Sequence, residues 1–69
     1  MRREAVDSSS IASIGYDEAS GTLEVGFASG EIYEYFNVPK DVYERFRAAD
    51  SKGRFFHLKI KDKYRYARV

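Results

Sequence analysis

The sequence predicts an α+β fold that contains an antiparallel three-stranded meander, one helix, a short second helix and a closing strand. Apolar and polar residues alternate over Thr22–Phe27, which is the period of a strand with one buried face. After Pro39, the only proline, apolar residues recur at helical spacing instead. The change of period at Pro39 therefore divides a strand-rich first half from a helix that can cover the sheet.

The length of 69 residues limits the chain to one domain. Residues 1–7 carry mixed charges and are predicted to form a flexible N-terminal segment, with the single domain at 8–69. No apolar run follows the first residues, so we expect neither a signal peptide nor a membrane span. The expected location is the cytoplasm, without a membrane partner, and the pattern specifies no oligomeric state.

The first strand is predicted over 11–16, with Ala12, Ile14 and Tyr16 on one face. A turn follows at 17–21, where Asp, Ser and Gly are typical turn residues.

The loop between the second and third strands decides which side chains face the core. A two-residue loop sets Val25 opposite Glu34 and turns a carboxylate inward. A three-residue loop with Gly30 in the left-handed conformation sets Val25 opposite Tyr33 and Leu23 opposite Tyr35. Burying an unpaired carboxylate costs several kcal/mol, whereas a tyrosine can leave its hydroxyl at the core edge. We therefore favour the three-residue loop.

The first helix is predicted from about Pro39, which suits a first helical position. Asp41 and Arg45 form a favourable i,i+4 pair on it.

The stretch 51–60 fits both a strand, from its alternating apolar residues, and a short helix capped by Ser51; the cap favours the helix. A closing strand is predicted over 64–69. The predicted core packs the sheet on both helices through Leu23, Val25, Phe27, Val42, Phe46, Phe56 and Ile60.

The net charge of +1 conceals a strong asymmetry along the chain. Residues 1–50 hold five basic and ten acidic residues, a net charge of −5. Residues 51–69, the basic C-terminal segment, hold seven basic residues and Asp62, a net charge of +6. Such asymmetry indicates an anionic partner for that segment.

Several short motifs follow one another in a fixed order along the chain. They are Ser9-Ser10, Ile14-Gly15-Tyr16, Leu23-Glu24-Val25, Gly30, Tyr33-Glu34-Tyr35, Val38-Pro39, Ser51-Lys52-Gly53 with Phe56, and Ile60 with Tyr64. Together they resemble the KTSC domain, a small bacterial module that occurs alone and at the C-terminus of some lysyl-tRNA synthetases. The resemblance covers about residues 8–69 and implies RNA binding only because the domain occurs together with a synthetase.

The basic C-terminal segment is the predicted nucleic-acid-binding site, because its cations can neutralise phosphates and two tyrosines lie among them. The predicted site consists of Lys52, Arg54, Lys59, Lys61, Lys63, Tyr64, Arg65, Tyr66 and Arg68. In a strand, Arg65 and Arg68 point to opposite faces, so not all seven cations can share one surface. The alternative is a solvated face that balances the acidic half of the chain.

Three further features have both a functional and a structural interpretation. Tyr33 and Tyr35 can stack on unpaired bases or line the core, and the favoured register supports the core. The stretch Ser51-Lys52-Gly53-Arg54 can bind an anion at a helix start, or can be a cap whose glycine allows close packing. An alternative function without a nucleic-acid partner is protein interaction through the acidic open side of the sheet, around Glu24, Glu34 and Phe36.

We predict no enzymatic activity. The sequence contains no cysteine, and the single His57 cannot form a histidine metal cluster, so it is expected at the surface or the core edge. The acidic pairs Asp17-Glu18 and Glu31/Glu34 lie in a turn and on a small sheet, where so short a chain builds no substrate pocket. No metal and no cofactor are therefore expected.

Overall fold

Five antiparallel strands form one sheet in the computed structural model, which describes residues 2–69. The strands pair in chain order, and two helices connect the fourth strand to the fifth. The α+β prediction is confirmed, with a short N-terminal strand added to the predicted elements. The elements are β1 (Glu4–Ala5), β2 (Ile11–Asp17), β3 (Thr22–Phe27), β4 (Ile32–Tyr35), α1 (Lys40–Ala48), α2 (Lys52–Lys59) and β5 (Tyr66–Arg68).

The β3–β4 hairpin has the predicted three-residue loop. Val25 lies opposite Tyr33 and Leu23 opposite Tyr35. The Phe27 N–H donates to the Glu31 carbonyl at 2.8 Å, and Gly30 has a φ of 101°, in the left-handed region that glycine tolerates. The register therefore turns the tyrosines, rather than Glu34, toward the helices.

Strand β2 contains a bulge that the alternation of its sequence does not reveal. Ile11 pairs with Phe27 and Ser13 with Gly26, so one extra residue lies between these two pairs. As a result Ile11 is buried beside Ile14, whereas Ala12 is exposed. The prediction that Ala12 shares the core face is wrong, because the bulge reverses the alternation there.

The first helix, α1, starts directly after Pro39 and buries Phe46 completely. The predicted pair of Asp41 and Arg45 is present at 3.8 Å on the exposed face. Near the start of the helix, Tyr16 and Tyr43 stack with ring centroids 4.7 Å apart, and the Tyr16 hydroxyl donates to the Val38 carbonyl at 2.5 Å. These contacts fix α1 against β2.

The stretch 51–60 is helical, as the Ser51 cap predicts. The Ser51 hydroxyl accepts a hydrogen bond from the Arg54 N–H at 3.3 Å, at the start of α2. Phe56 is buried and contacts Phe27 and Tyr35, with ring centroids at 5.3 and 5.5 Å. The helix ends with Lys59, and a turn over 60–63 follows it. The closing strand begins at Tyr66 instead of the predicted position 64.

One hydrophobic cluster lies between the helices and one face of the sheet. Phe27 and Val42 pack at its edge, so the predicted contact between the sheet and both helices is present. Its fully or nearly buried members are Ile11, Ile14, Leu23, Val25, Tyr35, Val38, Phe46, Phe56 and Ile60.

The N-terminal segment is bound to the sheet where the sequence predicts flexibility. Strand β1 pairs with β2, and Arg3 reaches across β2 to the Glu24 carboxylate, with Nη1 and Oε1 at 2.5 Å. Arg3 also donates from Nε to the Ser13 hydroxyl at 3.0 Å. The mobility of residues 2–7 stays a prediction, and Met1 lies outside the described residues.

The expected acidic surface around Glu24 is therefore absent from the open face of the sheet. Only 7% of Glu24 is exposed, because Arg3 covers it. A buried carboxylate needs a partner, since leaving the charge unpaired costs free energy. Glu34 and Phe36 are partly exposed on that face. Of the two predicted carboxylates, only Glu34 is therefore accessible to a partner.

Replacing Phe46 with alanine is expected to lower the free energy of unfolding by about 3–5 kcal/mol, because it removes a large, fully buried ring. Denaturant unfolding followed by circular dichroism measures the change. Leu58→Ala is the matched control, since 52% of Leu58 is exposed and its loss is expected to cost less than about 0.5 kcal/mol. Equal stability of the two variants would contradict the core assigned to α1.

Arg3→Ala is expected to destabilise the fold by about 1–3 kcal/mol, because it leaves the Glu24 carboxylate buried without its partner. The double variant Arg3→Ala/Glu24→Leu is expected to regain most of this loss, since the unpaired charge is gone. Urea unfolding of the two single variants and the double variant gives the coupling energy. Additive losses would show that the two side chains do not interact.

Candidate functional site

A groove of about 620 Å³ opens between the end of the sheet and α2. We call it the aromatic groove. Its volume falls within the range of about 300–1,000 Å³ that small-molecule sites occupy. Five aromatic residues line it, namely Phe27, Tyr33, Tyr35, Phe56 and Tyr66, and its polar lining comprises Ser10, Ser29, Glu31, His57, Lys61 and Asp62.

The strand register brings three tyrosines together on the side of the sheet that faces the groove. Tyr35 lies opposite Tyr66, and Tyr33 lies two residues before Tyr35 on the same face. The Tyr66 ring centroid is 5.7 Å from that of Tyr33 and 5.6 Å from that of Tyr35. Helix α2 covers Tyr35 through Phe56 but stops short of the other two rings.

The exposure of these rings increases toward the edge of the sheet. Tyr35 is 4% exposed and belongs to the core, Tyr33 is half-buried, and Tyr66 is 58% exposed. The structural interpretation therefore applies to Tyr35, while Tyr33 forms a wall of the groove. The Tyr66 ring presents surface to solvent on which an incoming planar group can stack.

Three lysines follow one another around the C-terminal end of α2. Lys61 lines the aromatic groove, whereas Lys59 lies on the surface that Arg54 also lines and Lys63 lies in the turn after α2; all three are exposed. The Phe56 carbonyl accepts hydrogen bonds from the N–H groups of Ile60 and Lys61, at 3.0 and 2.9 Å. Cations are favourable at this end of a helix dipole. None of the ion pairs among residues 2–69 includes these lysines.

The other four predicted cations are separate from these three lysines. Lys52 donates to the Ala49 carbonyl at 3.0 Å, where α1 ends. Arg54 is exposed on α2, on the side away from the groove. Arg68 forms an ion pair with Glu31 at 3.5 Å, and Arg65 precedes β5 with its carbonyl bonded to the Phe36 N–H at 2.9 Å. The seven cations do not form one surface.

Tyr64 is packed against the core, whereas His57 is at the surface. Tyr64 is half-buried and packs against the hydrophobic cluster, so it offers less free surface for stacking than Tyr66. His57 is exposed at the groove, as expected for a surface histidine.

Glu31 and Phe27 also line the groove, although neither was predicted as part of the site. The three-residue loop sets these two residues opposite each other, and Glu31 lies two residues before Tyr33 on the same face, so the register could have identified them.

The contacts of the stretch Ser51-Lys52-Gly53-Arg54 support its structural interpretation, a helix cap with a closely packed glycine. Ser51 caps α2, and the Lys52 ammonium is used at the end of α1. A Cβ atom on Gly53 would lie 2.7 Å from the Ser10 hydroxyl oxygen, so the glycine allows α2 to approach the loop before β2.

Within residues 2–69, no three acidic or histidine side chains are arranged to hold a metal ion. The helices described here are also too short and too polar to cross a membrane.

The phenol of Tyr35 is the most perturbed group beside the groove. Burial, together with the smaller effects of the neighbouring Tyr33, Tyr66 and Asp62, raises the pKa of Tyr35 from 10.0 to about 12. Burial also raises the pKa values of Tyr16 and Tyr43. The folded state therefore favours the neutral, protonated form of these three phenols.

Comparisons with known proteins give one consistent result. The sequence profile of the KTSC domain family matches residues 7–64. An uncharacterized protein of Stutzerimonas stutzeri is 46% identical over 100% of this chain and 99% of its own length. A lysine–tRNA ligase of Trichormus variabilis is 44% identical over 78% of this chain, which corresponds to 10% of the ligase. The crystal structure of a KTSC domain protein from Yersinia pestis superposes with a TM-score of 0.94 at 42% identity, covering 99% of this chain and 96% of that one.

The stability contributed by Tyr35 is expected to be complete below pH 10 and to be lost as the pH rises toward about 12, because the folded state has the higher pKa. Tyr35→Phe removes this component and should flatten the decline, while Tyr16 and Tyr43 leave a smaller one. Urea unfolding at a series of alkaline pH values measures it. Tyr66→Phe, at an exposed ring, is the control; an identical effect of both variants would contradict the assignment to Tyr35.

Proposed function

The chain belongs to the KTSC domain family, and we propose that it is a small non-catalytic module that binds single-stranded RNA in the cytoplasm. In this proposal the aromatic groove accepts unstacked bases, and the lysines around the end of α2 bind the phosphates. Of the sequence-predicted site, Tyr66, Lys59, Lys61 and Lys63 are the main contacts. Tyr33 adds a second aromatic surface.

The observation that carries the proposal is the exposed ring of Tyr66 beside a groove that Lys61 also lines. Single-stranded nucleic acids are bound where aromatic faces for the bases adjoin cations for the backbone. Each base stacked on an aromatic side chain contributes about 1–3 kcal/mol. A groove with one to two available rings therefore suits a short, flexible RNA segment better than a duplex, whose bases are already stacked.

The charges around the groove support the same interpretation. Lys59, Lys61 and Lys63 have no intramolecular acidic partner among residues 2–69, so binding of a phosphate breaks no ion pair. Most of the acidic half of the chain lies on other elements, where Glu18, Asp41 and Glu4 pair with Lys40, Arg45 and Arg47. Three of the five ion pairs among residues 2–69 thus use cations of α1, and none of the five uses Lys59, Lys61 or Lys63.

The occurrence of the domain supports an RNA context. Relatives from Trichormus variabilis and Nostoc are lysine–tRNA ligases, in which this chain corresponds to only 10–11% of the length. A domain of this size attached to a tRNA ligase is consistent with an accessory contact to RNA.

A second candidate function is protein interaction on the open face of the sheet. Ile32 and Phe36 are partly exposed there, and Val69 is 69% exposed opposite Ile32. Exposed apolar residues grouped on one face are typical of docking surfaces. This candidate uses a surface different from the aromatic groove, so the two can be tested separately.

Labelled single-stranded RNA and tRNA are expected to bind with micromolar affinity that weakens steeply between about 50 and 200 mM salt. Replacing Lys59, Lys61 and Lys63 with glutamine is expected to weaken binding by roughly 10- to 100-fold and to reduce the salt slope by about 2, since each phosphate contact on a single strand contributes about 0.7. Fluorescence anisotropy measures both quantities.

The matched control is Lys40→Gln/Arg45→Gln/Arg47→Gln, which removes the same charge from α1 and should leave most of the affinity. Circular dichroism verifies that both triple variants are folded. Equal losses in the two would show that binding follows net charge alone and does not use the groove. Flat titrations with every RNA would refute the proposal and favour the second candidate, which a pull-down with Val69→Asp as the negative control then tests.

A further inference from the structure

We propose that the aromatic groove selects guanine among the RNA bases, and that the Glu31 carboxylate recognises it. This inference rests on the proposed RNA binding and adds the identity of the base. Tyr33 and Tyr66 stack on the base, Lys61 binds the adjoining phosphate, and Glu31 accepts hydrogen bonds from the edge of the ring.

The lysine of the groove and one of its two carboxylates come from different elements. Lys61 lies where α2 ends, while Glu31 lies at the β3–β4 loop, on the opposite element. A nucleotide has a matching arrangement, since a negatively charged phosphate is joined to a base whose edge carries N–H donors. Stacked on the tyrosines with its phosphate toward Lys61, a nucleotide directs its base toward the Glu31 end.

The Glu31 side chain is 44% exposed, and two contacts orient its carboxylate toward the groove. One oxygen, Oε2, is 3.5 Å from Arg68 Nη2, and Oε1 accepts from the Ser29 hydroxyl at 3.5 Å. The main chain of Glu31 is fixed by the hydrogen bond of its carbonyl with the Phe27 N–H at 2.8 Å. Arg68 lies opposite Tyr33 in the sheet, so the ion pair keeps the carboxylate next to the stacking ring.

An ionised carboxylate only accepts hydrogen bonds, and it has two oxygens to be satisfied. Guanine alone presents two adjacent donors, N1–H and the N2 amino group, on its Watson–Crick edge. Uracil presents one N–H between two carbonyl oxygens, which repel a carboxylate. Adenine and cytosine each place a lone pair beside their amino group. Glu31 therefore favours guanine by charge complementarity.

The groove contains a second carboxylate, Asp62, which provides an internal control. Asp62 lies in the turn after α2, between Lys61 and Lys63 in the chain, and so at the phosphate end of the groove. Removing it changes the groove charge by the same amount as removing Glu31. Only the loss of Glu31 is expected to change the base preference.

The test uses short oligouridines in which one central position is guanosine, inosine, adenosine or cytidine, with binding measured by anisotropy on the full chain. Inosine lacks only the N2 amino group of guanosine. The guanosine oligomer is expected to bind at least about tenfold more tightly than the others, since a charged hydrogen bond contributes about this much. In Glu31→Gln the preference for guanosine over inosine should fall to within about twofold, while Asp62→Asn keeps it.

Two outcomes would overturn the inference without affecting the proposed function. One is equal binding of all four oligomers, and the other is a guanosine preference that Glu31→Gln leaves intact. Absence of binding by every oligomer would overturn both proposals. A lysine-rich peptide that binds more tightly than the guanosine oligomer at the same salt would also overturn both, because it would assign the groove to a cationic protein segment.

Discussion

The register of the β3–β4 hairpin is the constraint on which the rest of the molecule depends. Side chains alternate between the two faces of a strand, so a slip of one residue would exchange every side chain between core and solvent. In the observed register Val25 lies opposite Tyr33, and Leu23 lies opposite Tyr35. The slipped register would replace these tyrosines with Glu34 on the core side. The cost of burying that carboxylate makes the three-residue loop with Gly30 the stable choice.

The same register creates the aromatic groove as a by-product of a small core. Two helices of nine and eight residues cover only part of a five-stranded sheet. Phe56 packs on Phe27 of β3 and Tyr35 of β4, beside the buried Phe46, and Tyr33 and Tyr66 extend beyond it toward β5. A larger domain would cover these rings with another element. Here they remain accessible, which is why the binding surface and the core consist of neighbouring residues on one sheet face.

Sequence reasoning succeeded where a local pattern determines the structure. The strand period, the Ser51 cap and the Gly30 loop each act within a few residues, and the elements they predict are present. It failed at Ala12 and Glu24. The bulge at Ala12 and the contact of Arg3 with Glu24, 21 residues apart, depend on how separate strands meet. A local period does not determine such contacts between strands. Glu31 differs from these two, since the predicted hairpin register already places it on the face of Tyr33.

Charge asymmetry along the chain is a weaker guide to a binding surface than the charges near one site. The basic C-terminal segment distributes its cations over α2, the following turn and β5, and two of them are used in structural contacts. Lys59, Lys61 and Lys63 remain around the end of a helix, where the dipole favours them. Because screening limits electrostatic attraction to about 8–10 Å at physiological salt, a ligand in the groove responds to these three more than to the net charge of the domain. A nearly neutral protein can therefore present unpaired cations at one site, even though its charges balance over the whole chain.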